Sequence, residues 1–296
     1  MAGFERIRSE LDIPATFPDE VLDAARTAVR QGPTTPPGAH DVVRDRRDID
    51  FVAIDPAGST DLDQAFAAER LGDGHRVYYA IADVAALVTP EGPVDQEARS
   101  RGLTLYSPDR RTSLHPESIS EDAGSLLENQ DRRALLWTID LDGDGQLLDA
   151  HLERTLVRNR RQLTYHDAQA EAATAAADHP LTLLREVGER RIQREVERGA
   201  VSLALPAQEV VATDDGSYRL EYDEALPIED WNAQVSLLTG IAASRIMLDA
   251  GVGLLRTLPE PDPRTVARLR RTARALDIDW PDDVDYATRI RDLRPD

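Results

Sequence analysis

The chain has 296 residues, of which 41% are hydrophobic and 30% are charged, and its 55 acidic and 35 basic residues give a formal net charge of −20 at pH 7. This composition is typical of a globular protein with a buried core and excludes a disordered chain. The absence of cysteine excludes disulfides, thiolate zinc sites and cysteine nucleophiles. The sequence contains no run of about 18 consecutive apolar residues, which is the length that a membrane-spanning helix needs. We therefore expect a cytoplasmic protein with no membrane association and no disulfide-linked partner.

The negative charge also bears on nucleic-acid binding. A surface of this charge repels a phosphate polymer and disfavours broad, nonspecific binding. A narrow site in which metal ions supply positive charge remains compatible with the composition.

The first predicted element is a helix over Asp19–Gln31. Its apolar residues recur at the spacing of one helical face, and Pro18 stands at its start. The Gly- and Pro-rich stretch 32–38 then predicts a linker. We therefore divide the chain into residues 1–39, an N-terminal helix with a Pro/Gly linker, and residues 40–296, one larger domain.

Short apolar runs bounded by turn residues predict the next elements as strands, at 51–54, 65–70, 77–82, 135–140 and 147–157. Turns rich in Gly and Asp at 72–74 and 142–145 join two pairs of these strands as hairpins. Residues 140–145, which include the second turn, are similar to the opening of an EF-hand calcium loop, but His151 is at the twelfth position, where that loop needs a bidentate glutamate. We therefore predict a hairpin turn there and no calcium site.

Helical spacing dominates beyond Tyr165, and it predicts helices at 166–177, 181–198, 229–248 and 264–276, with a short hairpin at 209–222 among them. Strands early in the chain and helices late in it predict an α+β fold.

The densest group of chemically competent side chains follows the strand 51–54. Asp55, Asp61 and Asp63 lie there on one loop rich in turn-forming residues. Clustered carboxylates repel one another, and a hard divalent cation such as Mg²⁺ relieves that repulsion. A few carboxylates with Mg²⁺ also suit a phosphodiester substrate. Aspartate is common in turns for structural reasons as well, so the spacing alone leaves a structural loop open as the alternative.

The residues around this loop, Asp45–Asp55 and Ser59–Asp63, resemble the entry to the RNB catalytic domain of the ribonuclease II/R family. Further matches follow in the family's order, at Ala80–Val84, Leu103–Arg110, His115–Glu117, Asp131–Arg132 and Arg158–Tyr165. Many short matches in one order are more specific than any single one. The resemblance spans most of residues 40–170 and implies an RNB-type catalytic domain, with an antiparallel-rich sheet packed by helices.

This resemblance implies a magnesium-dependent hydrolytic exoribonuclease, which degrades single-stranded RNA from the 3′ end and releases nucleoside 5′-monophosphates by a two-metal mechanism. By position, Asp55, Asp61 and Asp63 match members of the family's acidic cluster that hold the metals and carry catalysis. Tyr106 matches a tyrosine that packs against the 3′-terminal nucleotide, although a core aromatic is the alternative interpretation of its strand position. Glu229 begins what resembles a central helix that faces the substrate.

The sequence departs from the family pattern in three places. Gln64 occupies the position of a fourth acidic metal ligand, so we expect one of the two metal positions to be weakened. Leu203 stands where relatives often carry a base-stacking aromatic residue. The sequence also stops before the family's later arginine-rich segment, so we expect the catalytic domain to be incomplete at its C-terminus.

Two further interpretations stay open beside the exonuclease. The chain is alternatively a non-catalytic RNB-like module that binds RNA or a protein partner through a weakened metal site; Gln64 and the early stop favour this interpretation. The third is that the acidic loop is structural and the resemblance reports the fold alone. The retained Asp55, Asp61 and Asp63 favour the enzyme.

Overall fold

The computed structural model describes residues 2–35, 42–201, 207–213, 215–223, 225–257 and 259–293. Its helices are α1 (Ala2–Glu10), α2 (Asp19–Gln31), α3 (Pro93–Arg101), α4 (Tyr165–Ala172), α5 (Pro180–Glu197), α6 (Pro227–Ala250), α7 (Pro263–Ala275) and α8 (Tyr286–Arg291). Its strands are β1 (Arg44–Asp45), β2 (Phe51–Ile54), β3 (Gln64–Leu71), β4 (Gly74–Ala82), β5 (Leu105–Tyr106), β6 (Arg111–Thr112), β7 (Asp131–Leu141), β8 (Leu147–Leu163), β9 (Ala207–Ala212) and β10 (Tyr218–Asp223). A short 3₁₀ turn covers Val84–Ala86 and a π-helical turn covers Ser118–Ala123.

The main sheet closes on itself through β8, which is 17 residues long. Residues 147–158 of β8 pair antiparallel with β7, and residues 159–163 pair parallel with β2. The strands β2, β3, β4 and β7 follow one another as antiparallel neighbours. Because β8 contacts both β2 and β7, these strands form a ring, to which β1 adds a short parallel pairing.

The two faces of this sheet have different side chains, as strand alternation requires. One alternate set is dominated by small residues and forms its own buried cluster inside the ring, with Ala53, Ala65, Ala67, Ala80 and Ala134 among its members. The opposite set is larger and packs outward against α4, α5 and α6, with Val52, Phe66, Tyr79, Trp137 and Ile139 among its members. Small side chains suit the narrow interior of a closed sheet.

The helices approach the outer face closely at one glycine. A Cβ placed on Gly188 of α5 would lie 2.5 Å from the Cβ of Trp231 in α6. The contact therefore requires glycine, and it fixes how α6 lies on α5. Both Val187 and Val235, their apolar neighbours, are fully buried in the same core.

A smaller cluster joins α2 to the rest of the chain. Val21 and Ala25 of α2 pack with Leu87, Val94 and Ile119. The division of the chain at residue 39 stays a prediction, and residues 36–38 of the predicted linker lie outside the described residues.

The α+β prediction is confirmed, and several element bounds agree closely with the structure. The predicted bounds of α2 and β2 are those observed, and the predicted hairpin at 209–222 is formed by β9 and β10. β8 runs six residues beyond the predicted end because its last residues pair with β2. α4 ends at Ala172 instead of residue 177, since His179 and Pro180 begin a new helix shortly afterwards.

The predicted turn after β7 is present, with Asp142 Oδ1 accepting hydrogen bonds from the backbone N–H groups of Asp144 (3.0 Å) and Gln146 (2.8 Å). Within the described ranges, no helix combines the length and the apolar composition needed to cross a membrane.

Candidate active site

The acidic loop, residues 55–63, connects β2 to β3. It begins at the end of a strand that is buried along its whole length, and Asp55 N–H donates to the Leu163 carbonyl of β8 at 3.1 Å. Gly58 has φ of +81°, a conformation that side-chain-bearing residues rarely adopt, and it allows the loop to turn back sharply. The loop therefore starts from a fixed point in the closed sheet.

The second half of the acidic loop is fixed by Leu62, which is fully buried. Its N–H donates to Ser125 Oγ at 2.9 Å, and its carbonyl accepts from Leu126 N–H at 2.8 Å. Ser125 Oγ in turn donates to the Thr60 carbonyl at 2.8 Å. These bonds hold the backbone between Asp61 and Asp63 in a single arrangement.

Asp55 is half-buried, and its Oδ2 atom has no hydrogen-bond partner among the described residues. Burial, followed by the charges of Asp63 and Asp61, raises the pKa of Asp55 to about 6. The pKa of Asp63 is also raised, by the protein atoms that crowd its carboxyl and by Asp61, although the residue as a whole is exposed. A buried carboxylate oxygen without a donor, beside a second carboxylate, is costly, and a divalent cation is the ordinary way to stabilise the pair.

Asp61 has a different environment. Its Oδ2 lies 2.7 Å from Nη1 of Arg111, which also pairs with Glu121. Glu121 accepts a further bond from Thr60 Oγ1 at 2.6 Å. Arg111 therefore neutralises one of the three carboxylates that the sequence predicts as metal ligands. In keeping with this, the described part of the chain contains no group of three or more His, Asp or Glu side chains arranged to hold a metal ion.

Gln64 is the first residue of β3, and its side-chain oxygen is already used. Tyr79 donates its hydroxyl hydrogen to Gln64 Oε1 at 2.5 Å. Tyr79 is buried, and burial, together with the charge of Asp55, raises its pKa, so the phenol stays protonated. The hydrogen bond occupies one of the two lone pairs of this oxygen and leaves the other for a weak contact with a cation, without charge.

The oxygens of Asp55 and Asp63 nevertheless fit a hard divalent cation. The unpaired Oδ2 and the raised pKa both report a carboxylate that lacks positive charge in its surroundings. Carboxylate oxygens are the ligands that Mg²⁺ prefers, with water and substrate phosphate completing its shell.

Sequence reasoning did not find the residues that α4 and α6 bring to Asp55. The charge of Asp55 reaches Tyr165 and raises its pKa, after burial as the main cause, and Asn232 hydrogen-bonds the Tyr165 side chain. Asn232 is itself buried. Asn232 belongs to none of the quoted motifs, and the Arg158–Tyr165 match contains Tyr165 without relating it to Asp55. Both residues are more than 100 positions from Asp55 and approach it only when the helices cover the sheet.

Glu229 is the third residue of α6, and its Oε1 accepts the Leu226 N–H at 2.8 Å, which caps the helix. Its charge also raises the pKa of Tyr165. One oxygen of the predicted substrate-facing carboxylate is thus engaged at the helix start. Its contact with a substrate stays a prediction.

Tyr106 lies in the two-stranded β5–β6 hairpin and is 75% exposed, so the alternative interpretation as a core aromatic is wrong. Its register partner across the hairpin is Arg111, the residue that contacts Asp61. Tyr106, the predicted nucleotide contact, is therefore connected to the acidic loop through its pairing with Arg111. Leu203, the other residue considered for base contact, lies outside the described residues.

Comparison with known proteins identifies the family. The profile of the RNB domain matches residues 43–292. A Synechocystis protein described as an uncharacterized ribonuclease is 28% identical over 84% of this chain and 37% of its own length. Ribonuclease R of Acidithiobacillus ferrooxidans is 32% identical over 64% of this chain and 44% of its own.

A solved structure shares the fold. That of Mycoplasma genitalium RNase R in complex with ribose-methylated single-stranded RNA aligns with a TM-score of 0.79 and 20% identity, covering 93% of this chain and 45% of that one. The chain thus spans less than half the length of these ribonucleases. The RNB-type fold predicted from the sequence is confirmed, and the chain belongs to the RNB domain family of ribonucleases.

Proposed function

We propose that this chain carries the metal-binding part of a magnesium-dependent 3′-to-5′ exoribonuclease, which acts on single-stranded RNA in the cytoplasm and releases nucleoside 5′-monophosphates. The observation that carries the proposal is the unpaired, half-buried carboxylate of Asp55 beside Asp63. A structural turn satisfies its carboxylates with backbone donors, whereas this loop leaves one without any. RNA as the substrate is supported by the family and by the RNA-bound Mycoplasma relative.

Asp55 and Asp63 would hold the first Mg²⁺ ion. When bound, the ion would neutralise the scissile phosphate and lower the pKa of an attacking water. The raised pKa of Asp55 matters here, because a proton competes with the cation for the same oxygens. Leu62 contributes by fixing the backbone of the acidic loop, so that the carboxylates need not reorganise when the cation binds.

A second metal position would need Asp61 and Gln64. Asp61 is engaged by Arg111, and Gln64 is engaged by Tyr79. Arg111 offsets the charge of Asp61, and Gln64 is a neutral ligand whose oxygen it shares with Tyr79, so we expect the second ion to bind more weakly than the first. Substrate phosphate oxygens would supply part of its coordination.

Tyr106 would contact the 3′-terminal nucleotide. Its exposed ring offers a flat surface on which any base or sugar packs without sequence preference. Glu229 would face the same end of the RNA from α6, where it lies near Tyr165. We retain the division into residues 1–39 and 40–296 as part of this proposal.

A non-catalytic RNB-like module that binds RNA or a protein is the second candidate. The observation that favours it is that Arg111 already pairs with Asp61 and that Tyr79 already donates to Gln64, which weakens both residues as cation ligands. This candidate predicts RNA or protein binding without cleavage.

Degradation of a 5′-labelled single-stranded RNA tests the proposal. The chain is incubated with RNA in Mg²⁺ or in EDTA, beside Asp63→Asn and the matched control Asp149→Asn, an exposed aspartate of β8. We expect products that shorten from the 3′ end, in Mg²⁺ alone, for the unmodified chain and for Asp149→Asn. RNA retention on a filter without cleavage would instead favour the binding module, and a version extended beyond residue 296 would then show whether further chain restores cleavage.

A further inference from the structure

Helix α1 is held to the β5–β6 hairpin by a buried arginine. Arg8 is only 3% exposed, although arginine is almost never buried without a partner. Its Nη1 and Nη2 donate to Asp109 Oδ1 and Oδ2 at 2.7 and 2.8 Å, a two-bond geometry that fixes direction as well as distance. Asp109 lies in the turn between Tyr106 and Arg111.

Two more contacts surround this pair. Arg8 Nη2 also donates to Glu5 Oε1 at 2.8 Å, and Glu5 lies 3.6 Å from Arg110 of the hairpin. At the start of α1, the Phe4 ring meets Tyr218 of β10 edge to face, with centroids 5.1 Å apart. Helix α1 thus connects the β5–β6 hairpin with the β9–β10 hairpin.

The β5–β6 hairpin needs such support. It has two residues in each strand and is joined to no other strand among the described residues. A hairpin of this length is not stable by itself in water. Apolar burial supplies little of the support from α1, because Ile7 and Leu11 are 48% and 66% exposed. The contact between α1 and the β5–β6 hairpin therefore depends mainly on Arg8. The same hairpin contains Tyr106 and Arg111, which pairs with Asp61.

We propose that α1 positions the β5–β6 hairpin for the 3′-terminal nucleotide, with Arg8 acting through Asp109 as the positioning residue. This inference rests on the proposed function in one respect, namely that Tyr106 contacts RNA. Among the described residues, the hydrogen bonds of Arg8 go to Asp109 and Glu5, and none goes to the carboxylates of the acidic loop or to Tyr106. Arg8 therefore acts on the position of the Tyr106 ring through Asp109.

The cysteine-free sequence allows a direct test of the mechanical part. Ser107→Cys in the hairpin gives a single attachment point for a nitroxide label, whose mobility is read by electron paramagnetic resonance without RNA. We expect Arg8→Ala to increase the mobility of the label. Arg6→Ala on the same helix is the matched control, since Arg6 is 77% exposed and pairs with Glu10, and it should leave the mobility unchanged. Equal mobility in Arg8→Ala and the unmodified chain would overturn the proposal.

The functional part is tested by RNA kinetics. Arg8→Ala should raise KM for single-stranded RNA by about tenfold, the scale of one base–aromatic contact, and leave kcat unchanged. The charge exchange Arg8→Asp with Asp109→Arg should restore KM, which distinguishes positioning from general unfolding. A KM that stays normal in Arg8→Ala, or a loss that the exchange does not repair, would contradict the proposal.

Failure of the proposed function has a separate signature. If the unmodified chain neither binds nor degrades RNA, the exoribonuclease proposal fails together with the role of the hairpin toward RNA. The label measurement then still decides whether α1 holds the hairpin.

Discussion

The acidic loop and the turn at Asp142–Gly145 are both short, aspartate-rich connections that follow a β-strand. In the turn, Asp142 Oδ1 accepts two backbone N–H groups, as aspartate does in structural turns. In the acidic loop, Asp55 Oδ2 accepts none, and burial, followed by the charges of the neighbouring carboxylates, raises the pKa of Asp55. Two loops of similar composition therefore differ in the hydrogen-bond donors around their carboxylates. Asp142 has backbone donors and stabilises a turn, whereas the buried oxygen of Asp55 has none, which favours our proposal that it binds a cation.

The largest effect that this comparison predicts is on cleavage. Asp55→Asn removes a charged cation ligand, so we expect RNA cleavage to fall at least about 100-fold. Asp142→Ala, made in the other loop, should leave the cleavage rate unchanged. The measurement is the initial rate of 3′ shortening at saturating Mg²⁺, and a normal rate in Asp55→Asn would remove the basis for the assignment of the metal site.

The next effect is on stability as a function of pH in EDTA. The folded-state pKa of Asp55 is raised from 3.8 to about 6, so the folded protein holds the proton more tightly than the unfolded chain. The stabilising contribution is present below about pH 4 and is lost as the pH rises through about 6, and we expect it to be about 1–2 kcal/mol after solvent screening of this partly exposed group. Urea unfolding of the unmodified chain and Asp55→Asn, from pH 4 to 7, measures it.

We expect the free energy of unfolding of Asp55→Asn to lack this pH-dependent contribution. In the unmodified chain, we expect added Mg²⁺ to offset the loss of stability at pH 7. A difference between the two proteins that stays constant with pH would indicate that Asp55 already has a compensating donor.

Gln64→Asp adds a carboxylate at the first residue of β3, directly after the acidic loop. The new side chain competes with the Tyr79 hydrogen bond but contributes a full charge to the cation. We expect the Mg²⁺ concentration for half-maximal activity to fall by about tenfold. An unchanged midpoint would mean that the position of Gln64 takes no part in metal binding.

The smallest effect is in the turn. Asp142→Ala removes the acceptor of two backbone N–H groups, so the free energy of unfolding should fall by about 1 kcal/mol. Asp149→Asn, at an exposed strand position nearby, is the control for this measurement. A loss confined to Asp142→Ala supports the structural role of that carboxylate.

Local patterns in the sequence were sufficient for the longer strands, for most of the longer helices and for the position of the loop. A short continuous apolar run predicted β2 because all four of its residues are buried, and helical spacing predicted α2 because one face packs on α3. Helix α1 was missed, since its anchor is the charge of Arg8 and its apolar side chains are few and largely exposed.

The chemical state of the candidate site depends on contacts that no local pattern contains. Sequence resemblance placed Asp55, Asp61 and Asp63 together, and their roles stay predictions. The pairing of Asp61 with Arg111 spans 50 positions, and it forms because the β5–β6 hairpin folds back onto the loop. The bond between Tyr79 and Gln64 arises from the register of β3 and β4, in which Tyr79 lies two residue pairs from the Gln64–Ile81 partners.

The central claim is that the acidic loop binds a divalent cation through Asp55. Calorimetric titration of Mg²⁺ into the RNA-free chain at pH 7, beside Asp55→Asn and Asp149→Asn, tests it most directly. We expect a binding isotherm for the unmodified chain and for Asp149→Asn, and an affinity at least about tenfold weaker for Asp55→Asn. Equal affinity in all three proteins, or no binding by the unmodified chain, would contradict the claim.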